Sequence, residues 1–156
     1  MRVGTRVGVD VGKVRVGVAR SDPHGLIATP LETVARGDGD IARILEIVAE
    51  CDAFELVVGL PLSLAGAPTA STDDAVAFAR RLAGAATVPV RLVDERLSTV
   101  SAHSQMRASG RSTRQSRSVI DQAAAVIIVQ HALDWERSAG TPPGEIALPD
   151  EGHQHG

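Results

Sequence analysis

The chain opens with two short runs in which valine alternates with glycine or a polar residue: Arg6-Val7-Gly8-Val9-Asp10-Val11, then Val14-Arg15-Val16-Gly17-Val18-Ala19-Arg20. This alternation predicts strands over 6–11 and 14–20, and the intervening Gly12-Lys13 predicts a hairpin. A period of two places Val7, Val9 and Val11 on one face of the first strand, and Arg6, Gly8, Asp10 and Gly12 on the other. Residues 26–34 predict a third strand, at a sheet edge because Pro30 has no N–H for a ladder. The spacing then changes. From Asp40 to Glu50 the apolar residues Ile41, Ile44, Leu45 and Val48 share one helical face.

Glu55 to Val58 predicts a short buried strand, ending in Gly59-Leu60-Pro61-Leu62. After a loop, Ser71 with Asp74 reads as a capping box for a helix to about Leu82. Val90 to Val93 is another buried strand. Ser98 or Thr99 caps a helix ending near Gly110, and a long helix follows from Ser118 to about Arg137. Its apolar stripe is Ile120, Ala123, Ala124, Ile127 and Ile128, with small residues that permit close docking. The element order β-β-β-α-β-α-β-α-α predicts an α/β fold. Its mixed five-stranded sheet has three antiparallel strands, then parallel ones, with helices on both faces. Residues 1–137 are expected to form a single domain and 138–156 a disordered tail, since that stretch is Gly, Pro, acid and His without periodicity.

Three acids break this pattern. Asp10 interrupts the first strand, Asp94-Glu95 ends the run Val90-Arg91-Leu92-Val93, and Asp121 stands at the start of the long helix. An ionised carboxylate out of water is costly unless it pairs or binds a cation. These acids are distant in sequence and lack local basic partners, which suggests a shared divalent metal and phosphodiester chemistry. Each has a structural alternative. Asp10 can pair with Arg15 across the hairpin, and Ser118-x-x-Asp121 is itself a capping pattern. Asp94 and Glu95 face opposite sides of a strand, so only one can join Asp10, and spacing does not choose between them. Hard carboxylate oxygens suit Mg2+ or Mn2+, and two such ions about 3.5–4 Å apart can drive an in-line displacement.

Composition narrows the classes. Aromatic residues are 2% of 156, with no Tyr, which argues against base-stacking platforms. The net charge is −3, yet Arg107, Arg111, Arg114 and Arg117 lie in a stretch with no acid, able to contact phosphates. The lone Cys51 excludes an internal disulfide and suits a reducing compartment. The five histidines show no metal-ligand spacing. With no apolar run long enough for a membrane span, a cytoplasmic protein is expected.

Asp10-Val-Gly12-Lys-Val-Arg15-Val-Gly17-Val-Ala19, Gly59-Leu60-Pro61-Leu62, Asp94-Glu95-Arg96-Leu97-Ser98-Thr99 and Asp121-Gln122-Ala123-Ala124-Ala125 together resemble the YqgF/RuvX family. Its members are named as pre-16S rRNA nucleases or Holliday-junction resolvases. The four motifs cover about residues 6–135 in the family's order. The resemblance implies an RNase H-like fold and a nuclease processing the 5′ end of precursor 16S rRNA. It makes Asp10, Glu95 and Asp121 the catalytic, metal-holding carboxylates, choosing Glu95 over Asp94. It also raises Arg15, Arg96, Ser98 and Thr99 as nucleic-acid contacts beside Arg111, Arg114 and Arg117. Val14 departs from relatives that carry a polar or basic residue there.

The nearest rival is a resolvase of four-way DNA junctions, which needs a two-fold homodimer, whereas a monomer suits RNA processing. A sugar-kinase or actin-like ATPase would need a second domain that 156 residues do not supply. A non-catalytic nucleic-acid-binding module would not need all three acids.

Overall fold

Valines on one side and small or charged residues on the other fit β1 (Thr5–Val11) for the middle of a sheet whose two faces differ. The computed structural model describes residues 2–63, 65–94 and 113–149, with only the backbone at 113–120. The remaining elements are β2 (Arg15–Ser21), β3 (Ala28–Ala35), α1 (Asp40–Glu50), β4 (Ala53–Leu60), α2 (Ala70–Ala85), β5 (Val90–Asp94), α3 (Thr113–Ala139) and β6 (Glu145–Ile146). The sheet order is β3-β2-β1-β4-β5-β6. β1, β2 and β3 pair antiparallel, while β4 joins β1, and β5 joins β4, in parallel. The mixed α/β sheet is as expected, with β3 and Pro30 at one edge. The expected helix from Ser98 or Thr99 lies outside the described residues.

Val7, Val9, Val16, Val18, Leu56, Val58 and Val90 form one core with Ile44, Ile47 and Val48 of α1 and Phe78, Ala79 and Leu82 of α2. On the opposite face α3 docks through Ala125, Val129 and Leu133 against Ala19 and Ala28. Ile128 and Ala132 of the same helix pack on Val57 and Val93. The docking stripe is therefore rotated by one position from the expected one: Ala124 and Ile128 are in it, while Ala123 and Ile127 are only half-buried.

Three expectations need correction. Thr69, not Ser71, caps α2, exchanging hydrogen bonds with Thr72, whose hydroxyl also donates to the Pro61 carbonyl. α3 begins at Thr113, so Asp121 is more than two turns inside the helix and caps nothing. The sheet has a sixth strand. β6 pairs antiparallel with β5, Arg91 opposite Ile146 and Leu92 opposite Glu145, and the Ala147 amide donates to the Val90 carbonyl at 2.7 Å. Within the stretch expected as a tail, 138–139 end α3 and 145–146 form this edge strand. β6 covers the outer edge of β5, which would otherwise present an unpaired ladder.

The end of the sheet where β1 begins is held by charge. Glu136 accepts from the Arg2 amide at 2.9 Å, from Arg2 Nη2 at 2.8 Å and from Arg6 Nη2 at 3.2 Å. Glu55 receives Arg2 Nη1 at 3.0 Å and Arg91 Nε at 2.6 Å. Glu55 and Glu136 are buried, as is Arg6. This network ties the N-terminal segment to β4, β5 and the last turns of α3. Among the described residues no helix is long and apolar enough to cross a membrane.

Candidate active site

The opposite end of the same sheet face carries Asp10. Gly8 faces α3, since a Cβ there would meet Val129 Cγ2 at 2.2 Å. Two residues on, Asp10 shares that face. Its Cα partner across β2 is Gly17. A Cβ on Gly17 would stand 1.9 Å from the Asp121 carbonyl oxygen and 2.2 Å from its carbon, so only glycine lets α3 approach β2 so closely. Directly opposed residues on one sheet face have Cβ positions about 4.5–5.5 Å apart. Asp10 is therefore the cross-strand neighbour of the residue on which Asp121 rests. Positions 10 and 121, far apart in sequence, thus both adjoin Gly17.

Asp121 has a cation beside it. Arg15 Nε donates to Asp121 Oδ2 at 2.9 Å, the two side chains 34% and 20% exposed. Arg15, considered from sequence as a partner for Asp10, thus bonds Asp121 through Nε. Asp10 too takes part in an interaction of its own. Gln122 anchors the same helical turn, its Nε2 donating to Thr33 Oγ1 at 2.9 Å, and Gln130 accepts from the Ala28 amide at 3.0 Å. These two bonds fix α3 along β3.

Asp94 ends β5 opposite Leu60. Val90 and Leu92 belong to the α1–α2 core and Val93 to the α3 side, so alternation turns Asp94 away from Asp10 and Asp121. Glu95, Arg96, Ser98, Thr99 and Arg111 lie outside the described residues. Arg114 and Arg117 stand on the first two turns of α3, but their side chains are outside the description. Among the described residues no three His, Cys, Asp or Glu side chains form a metal-holding group. Of the three expected carboxylates, Asp10 and Asp121 are among the described residues, and both adjoin Gly17.

Sequence reasoning missed the role of Gly17 and the partners of Arg36. A glycine interrupting a valine strand was the available signal for the first, since it marks a close backbone approach. For the second there was none, because the groups Arg36 meets are dispersed. It reaches the Gly12 carbonyl through Nη1 at 2.7 Å and Asp74 through Nη1 and Nη2 at 2.9 and 3.1 Å. Those hydrogen bonds hold the Asp74 carboxyl below the usual carboxylate range.

A family model described as "RuvX: Holliday junction resolvase" matches residues 4–135. The chain belongs to the RuvX family. Among RuvX relatives, a protein of Clavibacter sepedonicus named "Putative pre-16S rRNA nuclease" is 67% identical over 149 residues, covering 94% of this chain and 92% of its own. One of the same name from Leifsonia xyli subsp. xyli is 60% identical over 151 residues, covering 96% and 97%. In fold, this RuvX chain is similar to Thermus thermophilus RuvC in complex with a Holliday junction. The TM-score is 0.56 at 17% identity, over 90% of this chain and 99% of the other. The likeness establishes an RNase H-like architecture.

Proposed function

We propose that this RuvX chain is a divalent-metal-dependent nuclease that trims the 5′ end of precursor 16S rRNA in the cytoplasm. The observation that supports the reading is that Asp10 lies opposite Gly17 and the Asp121 main chain packs on that same glycine. A pair of carboxylates held on one sheet face is a hard oxygen donor set that fits Mg2+ or Mn2+. Asp10, Asp121 and Glu95 would hold the metal. Alternation along β5 supports Glu95 over Asp94, because Val93 already sides with α3. When bound, the metal supplies an activated water and charge stabilisation of the leaving oxygen.

The chain's own groups do the rest. Arg15 orients the Asp121 carboxylate through Nε, and its remaining guanidinium donors suit a phosphate oxygen. Arg96, Ser98, Thr99, Arg111, Arg114 and Arg117 are the proposed backbone contacts to the nucleic acid. The rival substrate, a four-way DNA junction, uses the same carboxylates and is favoured by the description of the matching family model. It requires paired sites in a two-fold dimer.

A cleavage panel separates the two. Fragments of precursor 16S rRNA and four-way DNA junctions are incubated with Mg2+ or Mn2+ at two salt concentrations. The expected result is metal-dependent cleavage of the RNA near the mature 5′ end. Neutralising Arg111, Arg114 and Arg117 together is expected to weaken binding and flatten its salt dependence, because each lost phosphate contact releases one fewer counterion. Paired nicks in the junction with the RNA intact would transfer the activity to DNA, and cleavage of neither would refute the nuclease.

A further inference from the structure

The turn between β1 and β2 carries Asp10 two residues before Gly12 and Arg15 one residue after Val14. Both of those turn carbonyls are gripped by a single residue, Arg36, just past the end of β3. Its amide donates to the Val14 carbonyl at 2.9 Å, and its Nη1 donates to the Gly12 carbonyl at 2.7 Å. The other side of the guanidinium reaches the helices. Nη1 and Nη2 bind the two oxygens of Asp74 in the first turns of α2 at 2.9 and 3.1 Å. Nε lies 3.6 Å from Asp40 Oδ2 at the start of α1. The planar group stacks over Phe78, 5.0 Å from the ring centroid, and the side chain is only 18% exposed.

We propose that Arg36 is a positioning residue for the site: it clamps the β1–β2 turn to the N-terminal turns of α1 and α2, and so fixes where Asp10 and Arg15 sit. This rests on the nuclease reading of those two residues. The physical need is clear from the turn itself. Within the turn the Gly12 amide donates to the Arg15 carbonyl at 2.9 Å, and the Gly12 carbonyl is met by the Arg36 guanidinium. A three-residue connection with an exposed lysine and valine at its tip has little apolar burial to hold it. Arg36 supplies a charge-assisted, partly desolvated anchor, which is stronger than a neutral bond. Lysine cannot replace it, since one ammonium cannot span a carbonyl and a bidentate carboxylate in fixed planar geometry. Asp74 is part of the clamp rather than of the helix cap.

The test uses the full chain with Arg36→Gln and Arg36→Lys, and with Glu136→Gln as a control that loosens the other end of the sheet. Three quantities are read: hydrogen exchange of the Gly12 amide, Mn2+ affinity, and kcat and KM for RNA cleavage below the unfolding temperature. Supporting groups around metal ligands change affinity or activity by about 10–100-fold when lost. Accordingly both Arg36 variants are expected to speed Gly12 exchange, weaken Mn2+ binding about tenfold and lower kcat by about 10–100-fold with KM nearly unmoved. Glu136→Gln is expected to leave all three at wild-type values while folded. Arg36→Lys retains the charge and the stem over Phe78, so it remains folded if Arg36→Gln does not. A folded Arg36→Lys with unchanged Gly12 exchange, or with faster exchange but wild-type Mn2+ affinity and kcat, overturns the proposal. If the wild type neither cleaves RNA nor binds Mn2+, the nuclease reading fails, while the exchange rate still shows whether Arg36 clamps the turn.

Discussion

Asp10→Asn is expected to lower metal-dependent cleavage by at least about 10³-fold, the scale on which single members of a catalytic constellation count. Asparagine has the same shape and keeps one carbonyl oxygen, but it lacks the negative charge that draws a divalent cation. Asp10 lies near the end of β1, half-buried and away from the apolar α1–α2 core, so the variant is expected to unfold at a temperature close to that of the wild type. Rates are measured with Mg2+ and with Mn2+ beside a thermal melt. Loss of cleavage with an unchanged melt is the expected pairing. Cleavage within a few-fold of wild type would remove Asp10 from the chemistry.

The second large effect belongs to stability and to the other end of the sheet. Glu136 is 3% exposed and bonded to Arg2 and to Arg6, itself 2% exposed. Removing one partner of a buried pair costs about 3–5 kcal/mol, because the remaining charge is stranded out of water. Glu136→Gln is expected to show a loss on that scale in denaturant unfolding. The same contacts give a pH signature. Hydrogen bonds from Arg2 pull the Glu136 carboxyl from 4.5 down to about 2. A carboxylate whose folded value is depressed stabilises the fold above its unfolded value, and that contribution fades as pH falls through the folded one. Wild-type stability should therefore drop between pH 4.5 and about 2, and Glu136→Gln should flatten that stretch of the curve. An unchanged slope would mean that the network does not govern acid stability.

The contrast between the two ends of the sheet explains what could be read from the sequence. Period-two valines and Gly12-Lys13 encode β1 and β2 locally. Pro30 encodes an edge strand, and the spacing of Ile41, Ile44 and Val48 encodes α1. These are short-range signals, and the structure follows them. Ser118-x-x-Asp121 and Ser71-x-x-Asp74 were legible but misleading. A capping pattern looks the same inside a helix as at its start, and tertiary contacts decided. Asp121 went to Arg15 and Asp74 to Arg36. β6 had no local signal, since two residues paired mainly through main chain need no periodicity. In the site, Asp10 was visible as an acid in an apolar strand. Its closeness to Asp121 was not, because it depends on a missing Cβ at Gly17 that lets a helix rest on a strand. The choice of Glu95 came from family resemblance, and Glu95 lies outside the described residues.

The most direct measurement is anomalous diffraction from crystals of the full chain grown or soaked with Mn2+. The account predicts a Mn2+ peak at the end of β1, bonded to carboxylate oxygens of Asp10, Asp121 and Glu95. A fully occupied peak elsewhere, or three carboxylates turned to separate surfaces with no ion among them, would contradict it.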